Sequence, residues 1–136
     1  MDQQIWEGPG WRIGWNPTAE RFQALLGSDS WALELTAAEL ADVCRLSQQL
    51  SSTMAAMTAE LMDDERVACE QETSLVWLEA EGFPTGYDLR LILLTGRGGE
   101  GTWSAEAVPG LLAGLTELVH QCPSFNDLAP CLSSPN

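Results

Sequence analysis

Trp11, Ile13 and Trp15 alternate with Arg12 and Gly14, a period of two that predicts a short strand ended by Asn16-Pro17. Phe22, Ala24 and Leu26 repeat the pattern before Gly27-Ser28-Asp29, whose residue types supply turn chemistry. Trp31, Leu33 and Leu35 then alternate with Ala32 and Glu34. Three short strands in succession, joined by tight turns, predict an antiparallel meander.

The period changes at Thr36. Thr36-Ala37-Ala38-Glu39 has the form of a capping box, in which the threonine hydroxyl accepts from an early backbone N–H and the glutamate reaches back. Leu40, Val43, Leu50, Met54, Met57 and Leu61 follow at three- and four-residue spacing, interrupted by Ser47. The spacing predicts a helix over 37–62, close to 40 Å at about 1.5 Å per residue, long enough to leave part of it for a partner.

Beyond Asp63-Asp64 the period returns to two. Val67, Cys69 and Gln71 share one face, and a turn near Thr73-Ser74 leads into a second strand over 75–81. A two-residue turn places Val76, Leu78 and Ala80 with Val67 and Cys69, leaving Arg66, Glu70, Glu72, Trp77 and Glu79 on the opposite face. Residues 87–94 read as a strand buried on most of both faces, and Thr102-Trp103 as a short one. Ser104 is expected to cap a second helix whose stripe is Val108, Leu111, Leu112, Leu115, Leu118 and Val119, with the helix proper starting near Pro109.

The reading is a single α+β domain over 1–120, ordered as antiparallel strands, long helix, antiparallel strands and helix. This repetition suggests a duplicated sheet-plus-helix unit, although the halves share no strong residue identity. Residues 121–136 lose periodicity, gather Pro123, Pro130 and Pro135, and are expected as a loose tail.

Composition sharpens the picture of partners. Twenty carboxylates stand against six cationic side chains, all arginine, for a formal net charge of -14. That balance opposes the approach of any polyphosphate, so nucleic acid is disfavoured. The longest apolar stretch, around residues 89–94, has strand length, which argues against a membrane span. Met1-Asp2-Gln3-Gln4 has no signal character, so a cytoplasmic location is expected. Cys44, Cys69, Cys122 and Cys131 form no C-x-x-C pair and read as free thiols rather than zinc ligands.

Candidate chemistry is thin. Gly96-Arg97-Gly98-Gly99-Glu100-Gly101 matches G-x-G-x-x-G, but Thr102-Trp103 stands where a helix would have to open, so a hairpin loop is expected and no cofactor. Asp63, Asp64 and Glu65, with Glu70 and Glu72, supply the oxygen ligands that Mg²⁺ prefers and are the candidate metal residues of a metal-dependent enzyme. His120, alone near the end of the last helix, suits the helix dipole and lacks a nucleophile in a catalytic context. No catalytic residues are assigned. Trp77, flanked by Arg66, Arg90, Glu70 and Glu72, is the candidate interaction surface, since aromatics with arginine make protein-binding hot spots.

Four separated motifs carry a resemblance: Gly8-Pro9-Gly10-Trp11-Arg12-Ile13-Gly14, Trp31-Ala32-Leu33-Glu34-Leu35-Thr36, Leu61-Met62-Asp63-Asp64-Glu65, and Gly96 to Gly101 with Trp103. In this order they resemble an uncharacterised cyanobacterial family, domain of unknown function 1818, over roughly residues 5–120. The resemblance implies a fold similar to the Whirly and positive-cofactor-4 group of single-stranded DNA-binding regulators, and no established activity. The expected function is a non-catalytic, acidic domain that binds another protein or itself. Single-stranded nucleic-acid binding and metal-dependent catalysis are the alternatives.

Overall fold

A computed structural model of the chain describes residues 3–58 and 65–122. Its elements are β1 (Gln4–Gly8), β2 (Trp11–Trp15), β3 (Ala24–Gly27), β4 (Ala32–Leu35), α1 (Ala37–Met57), β5 (Val67–Glu72), β6 (Val76–Phe83), β7 (Gly86–Leu93), β8 (Glu100–Trp103) and α2 (Val108–Gln121). Both sheets are antiparallel meanders of four strands, in the orders β1-β2-β3-β4 and β5-β6-β7-β8, and each is followed by a helix. The α+β class and the strands–helix–strands–helix order hold as the periodicity predicts.

Alternation decides which side of each strand is buried. Ile13, Trp15, Ala24, Leu26 and Leu35 line the inner face of the first sheet, and Val76, Leu78, Ala80, Leu89 and Leu91 that of the second. Strand β1 is absent from the sequence reading because its apolar positions break the period: Ile5 is 62% exposed, while Gln4 lies near Cys122 on the side facing α2. Phe22 precedes β3 rather than belonging to it. The turn after β5 takes in Thr73, Ser74 and Leu75, but the register still pairs Cys69 with Ala80 and Gln71 with Leu78, so the faces come out as expected. Strand β7 is buried on one face only, because Asp88 and Arg90 project outward with Trp77 and Glu79 of β6.

The capping box is fully formed. Thr36 Oγ1 accepts from the Glu39 N–H at 3.1 Å, and Glu39 Oε1 accepts from the Thr36 N–H at 2.9 Å. Helix α1 ends at Met57 with Thr58 as its C-cap, giving about 32 Å rather than 40 Å; residues 59–62 of the expected helix lie outside the described residues. At α2 no side chain caps the first turn. The Ser104 carbonyl accepts from Ala107 and Val108 instead, and Pro109 sits in the first turn, where its missing N–H costs no hydrogen bond.

The helices are exchanged between the sheets. Helix α1 packs chiefly on β5 and β6, and α2 on β1 and β2, so each covers the inner face of the sheet from the other half. Leu40, Val43, Leu50 and Met54 of α1 and Leu111, Leu115 and Leu118 of α2 are buried in one continuous core. Trp11 lies against Gly8, Gly110 and Gly114; a Cβ at Gly114 would stand 2.7 Å from the indole, so only glycine admits the ring. At the seam between β4 and β8, the Trp31 Nε1–H donates to the Thr102 carbonyl at 3.1 Å. The Trp103 Nε1–H donates to the Gly27 carbonyl at 2.9 Å, with the two rings 4.9 Å apart. No helix among the described residues is long and apolar enough to cross a membrane.

Candidate functional site

Two outer faces and one buried polar cluster carry the chemistry. The outer face of the second sheet follows from the register, which aligns Glu70 with Glu79 and Arg90, and Glu72 with Trp77 and Ile92. Its groups bond one another. The Trp77 Nε1–H donates to Glu70 Oε1 at 2.8 Å, the Arg90 guanidinium lies 5.8 Å from the Trp77 ring centroid, and Arg90 pairs with Glu100 at 3.4 Å. Arg66 pairs with Glu81 at 3.2 Å and sits over the Phe83 ring. Trp77 is half-buried. The structure thus brings Trp77, Glu70, Arg66 and Arg90 onto one face, with their hydrogen-bonding groups spent largely on neighbours in the same sheet. The two ion pairs are exposed and each contributes about 1 kcal/mol or less.

Of the candidate metal ligands, Asp63 and Asp64 lie outside the described residues. Glu65, Glu70 and Glu72 are exposed, and Glu70 accepts from Trp77. No group of three or more His, Cys, Asp or Glu side chains among the described residues could hold a metal ion. His120 is exposed at the end of α2.

The G-x-G-x-x-G segment is a hairpin loop between β7 and β8, with Gly96 and Gly98 at positive φ of 93° and 73°. Its Arg97 reaches the first half of the chain. Arg97 Nη2 donates to Glu39 Oε1 at 2.6 Å, Nη1 donates to the Glu34 carbonyl at 2.6 Å, and the guanidinium lies 4.5 Å from the Phe22 centroid. Thr95 Oγ1 donates to Glu39 Oε2 at 2.8 Å. Burial pushes the Glu39 carboxyl up, but hydrogen bonds from Thr36, Thr95 and Arg97 and the Arg97 charge outweigh it, leaving the pKa below the ordinary value. Glu39 is therefore a buried, satisfied carboxylate that ties the two halves together. Cys44 is fully buried, which pushes its thiol up to about 12 and keeps it protonated; burial also raises the Cys122 thiol. Cys69 is half-buried, and Cys131 lies outside the described residues.

The remaining surface was not legible in the sequence. On the outer face of the first sheet, Gly14 leaves a hollow of about 330 Å³ bordered by Ile5, Leu25, Phe22, Arg12 and Glu34. A side chain at position 14 would meet Leu25, so glycine here sets the depth of the hollow. Arg45, Arg66, Arg90 and Arg97 each pair with a carboxylate, whereas Arg12 and Arg21 pair with none among the described residues. The exposed apolar Ile5 and the unpaired Arg12 thus border the same hollow. The one available signal was the adjacent apolar pair Ile5-Trp6, which breaks any alternation in the opening segment.

These features define an α+β scaffold of two meander sheets with exchanged helices. The chain belongs to the family described as Domain of unknown function (DUF1818), whose model matches residues 6–118. It is similar to the crystal structure of a protein with unknown function from the DUF155 family from Prochlorococcus sp. NATL2A. Identity is 28%, the TM-score is 0.80, and the match covers 85% of this chain and 98% of that one. No curated protein matches the chain.

Proposed function

We propose that this chain is a non-catalytic interaction domain of the cyanobacterial cytoplasm, binding a partner protein through the β1–β2 side of its first sheet. The observation that carries the reading is the hollow over Gly14, where exposed Ile5 and partly covered Leu25 and Phe22 meet Arg12, which is in no ion pair among the described residues. Apolar surface with a nearby arginine is the composition of binding hot spots. The Trp77 face is the less favoured contact, because its indole N–H and arginines are engaged by Glu70, Glu81 and Glu100.

Photo-crosslinking tests it, with benzoylphenylalanine in place of Ile5 or of Ala68, an exposed position on the outer face of the second sheet. A discrete adduct formed from position 5 and lost from position 68 is the expected result. Equal labelling from both positions, or none from position 5, would sink the reading.

The second reading is a single-stranded nucleic-acid regulator of the Whirly type. It is favoured by Trp77 lying beneath Arg90, a pairing on which a base can stack, and opposed by Glu70, Glu72 and Glu79 around it. Oligonucleotide titration at low salt decides it, since electrostatic binding is strongest there.

A further inference from the structure

Strand β1 is an edge: among the described residues it pairs with β2 alone. Every second residue therefore turns its backbone N–H and C=O away from the sheet, a template for another extended chain. The edge also has a hollow on each side. Toward the outer face lies the hollow over Gly14; toward the core side, a trough runs between β1 and α2, bordered by Trp6, Trp11, Ala113 and Glu117. Ile5 and Glu7 border both. An added strand directs its side chains alternately to the two sides, so paired hollows suit an extended peptide better than a helix or a compact ligand. The corresponding edge of the second sheet, β5, is guarded differently: Glu70, Gln71 and Glu72 are exposed in succession.

Charge selects the partner. Glu7 stands at both hollows and Glu117 on the wall of the trough, neither in an ion pair with a described residue, within a chain of net charge -14. We propose that the open edge of β1 takes up, by strand addition, an extended basic segment of a partner protein. Its small apolar side chains turn to the outer side and cover Ile5 over the hollow, and its arginine or lysine side chains turn to the core side, where Glu7 and Glu117 border the trough. This rests on the interaction reading above and adds the mode of binding and the chemistry of the partner.

The test uses the full chain and a fluorescein-labelled peptide of alternating valine and arginine. Its controls are a glutamate-for-arginine counterpart and a version N-methylated at every second amide. The arginine peptide should bind, with NMR amide shifts centred on residues 4–8 rather than 67–72. N-methylation on the edge facing β1 should weaken binding about tenfold, the loss of one to two net hydrogen bonds. Ile5→Ser, at an exposed position that folding tolerates, removes the apolar contact without adding charge and should weaken it up to about tenfold as well. Glu7→Gln with Glu117→Gln should weaken it several-fold and flatten its salt dependence.

Equal binding of the N-methylated or glutamate peptide, or shifts centred on β5, overturns the proposal. Dimerisation through β1 that the peptide cannot displace overturns it too and assigns the edge to a second copy. If the peptide fails while position 5 still crosslinks a partner, strand addition alone falls; if position 5 also fails, the interaction reading falls with it.

Discussion

The two halves of this chain share an element order and a strand order, yet their outer faces have opposite characters. The first sheet leaves Ile5, Leu25 and Arg12 around a hollow, with Arg12 in no ion pair among the described residues. The second locks Arg66, Arg90 and Trp77 into contacts with Glu81, Glu100 and Glu70. Their inner faces are alike, because both must meet the same apolar core. Burial constrains one side of a strand, and solvent leaves the other side free to specialise.

The largest test of this comparison separates the halves. Because α1 covers β5 and β6 while α2 covers β1 and β2, residues 3–58 or 65–122 alone would leave a helix stripe and a sheet face uncovered. Each piece should lack cooperative unfolding by circular dichroism, and an equimolar mixture should recover it. A cooperatively folded half would show that the exchange of helices is not what stabilises the fold.

The seam comes next. Trp103 is fully buried and donates to Gly27 of the first sheet, so Trp103→Ala should cost about 3–5 kcal/mol by chemical denaturation. A loss of less than about 1 kcal/mol would mean that the contact between β3 and β8 is incidental.

Arg97→Ala should cost about 2 kcal/mol, because it leaves the buried Glu39 carboxylate with one charge partner fewer. The pH dependence has a definite sign. The folded carboxyl titrates below its ordinary value of 4.5, so Glu39 contributes stability that is complete above about pH 4.5 and lost as the pH falls through the lower folded value. Arg97→Ala should therefore move acid unfolding to higher pH, whereas an unchanged acid midpoint would leave the Thr36 and Thr95 hydrogen bonds to account for the low pKa.

A pair of glycines gives the smallest and most discriminating contrast. Gly114→Ala forces a methyl onto Trp11 and should cost about 1–3 kcal/mol. Gly86→Ala meets nothing within 4 Å, and should change stability by no more than about 0.5 kcal/mol. Equal effects in thermal melts would show that backbone entropy, not the seat of Trp11, explains these glycines.

Much of the local structure was written in the sequence. The period of two at Trp11 to Trp15 and the capping box at Thr36 and Glu39 act over a few residues, so they set element type and helix start wherever the chain goes. The shared face of Cys69 and Ala80 followed from the same alternation, but their register did not: a two-residue turn would have paired Cys69 with Leu78. Strand β1 escaped because Ile5 points outward, contrary to the rule that apolar residues mark the buried side. Its edge and hollows, the candidate site, escaped with it.

Tertiary structure decided the rest. Periodicity says which side of a helix is apolar, but apolar burial is non-directional, and any complementary face satisfies it. Only assembly settled that α1 would cover the second sheet and α2 the first. In the same way, the sequence read Glu39 as a capping residue, and folding added Thr95 and Arg97, 56 and 58 positions away, to the same carboxylate. A cap requires only its own helix; a buried charge requires partners that another part of the chain must deliver.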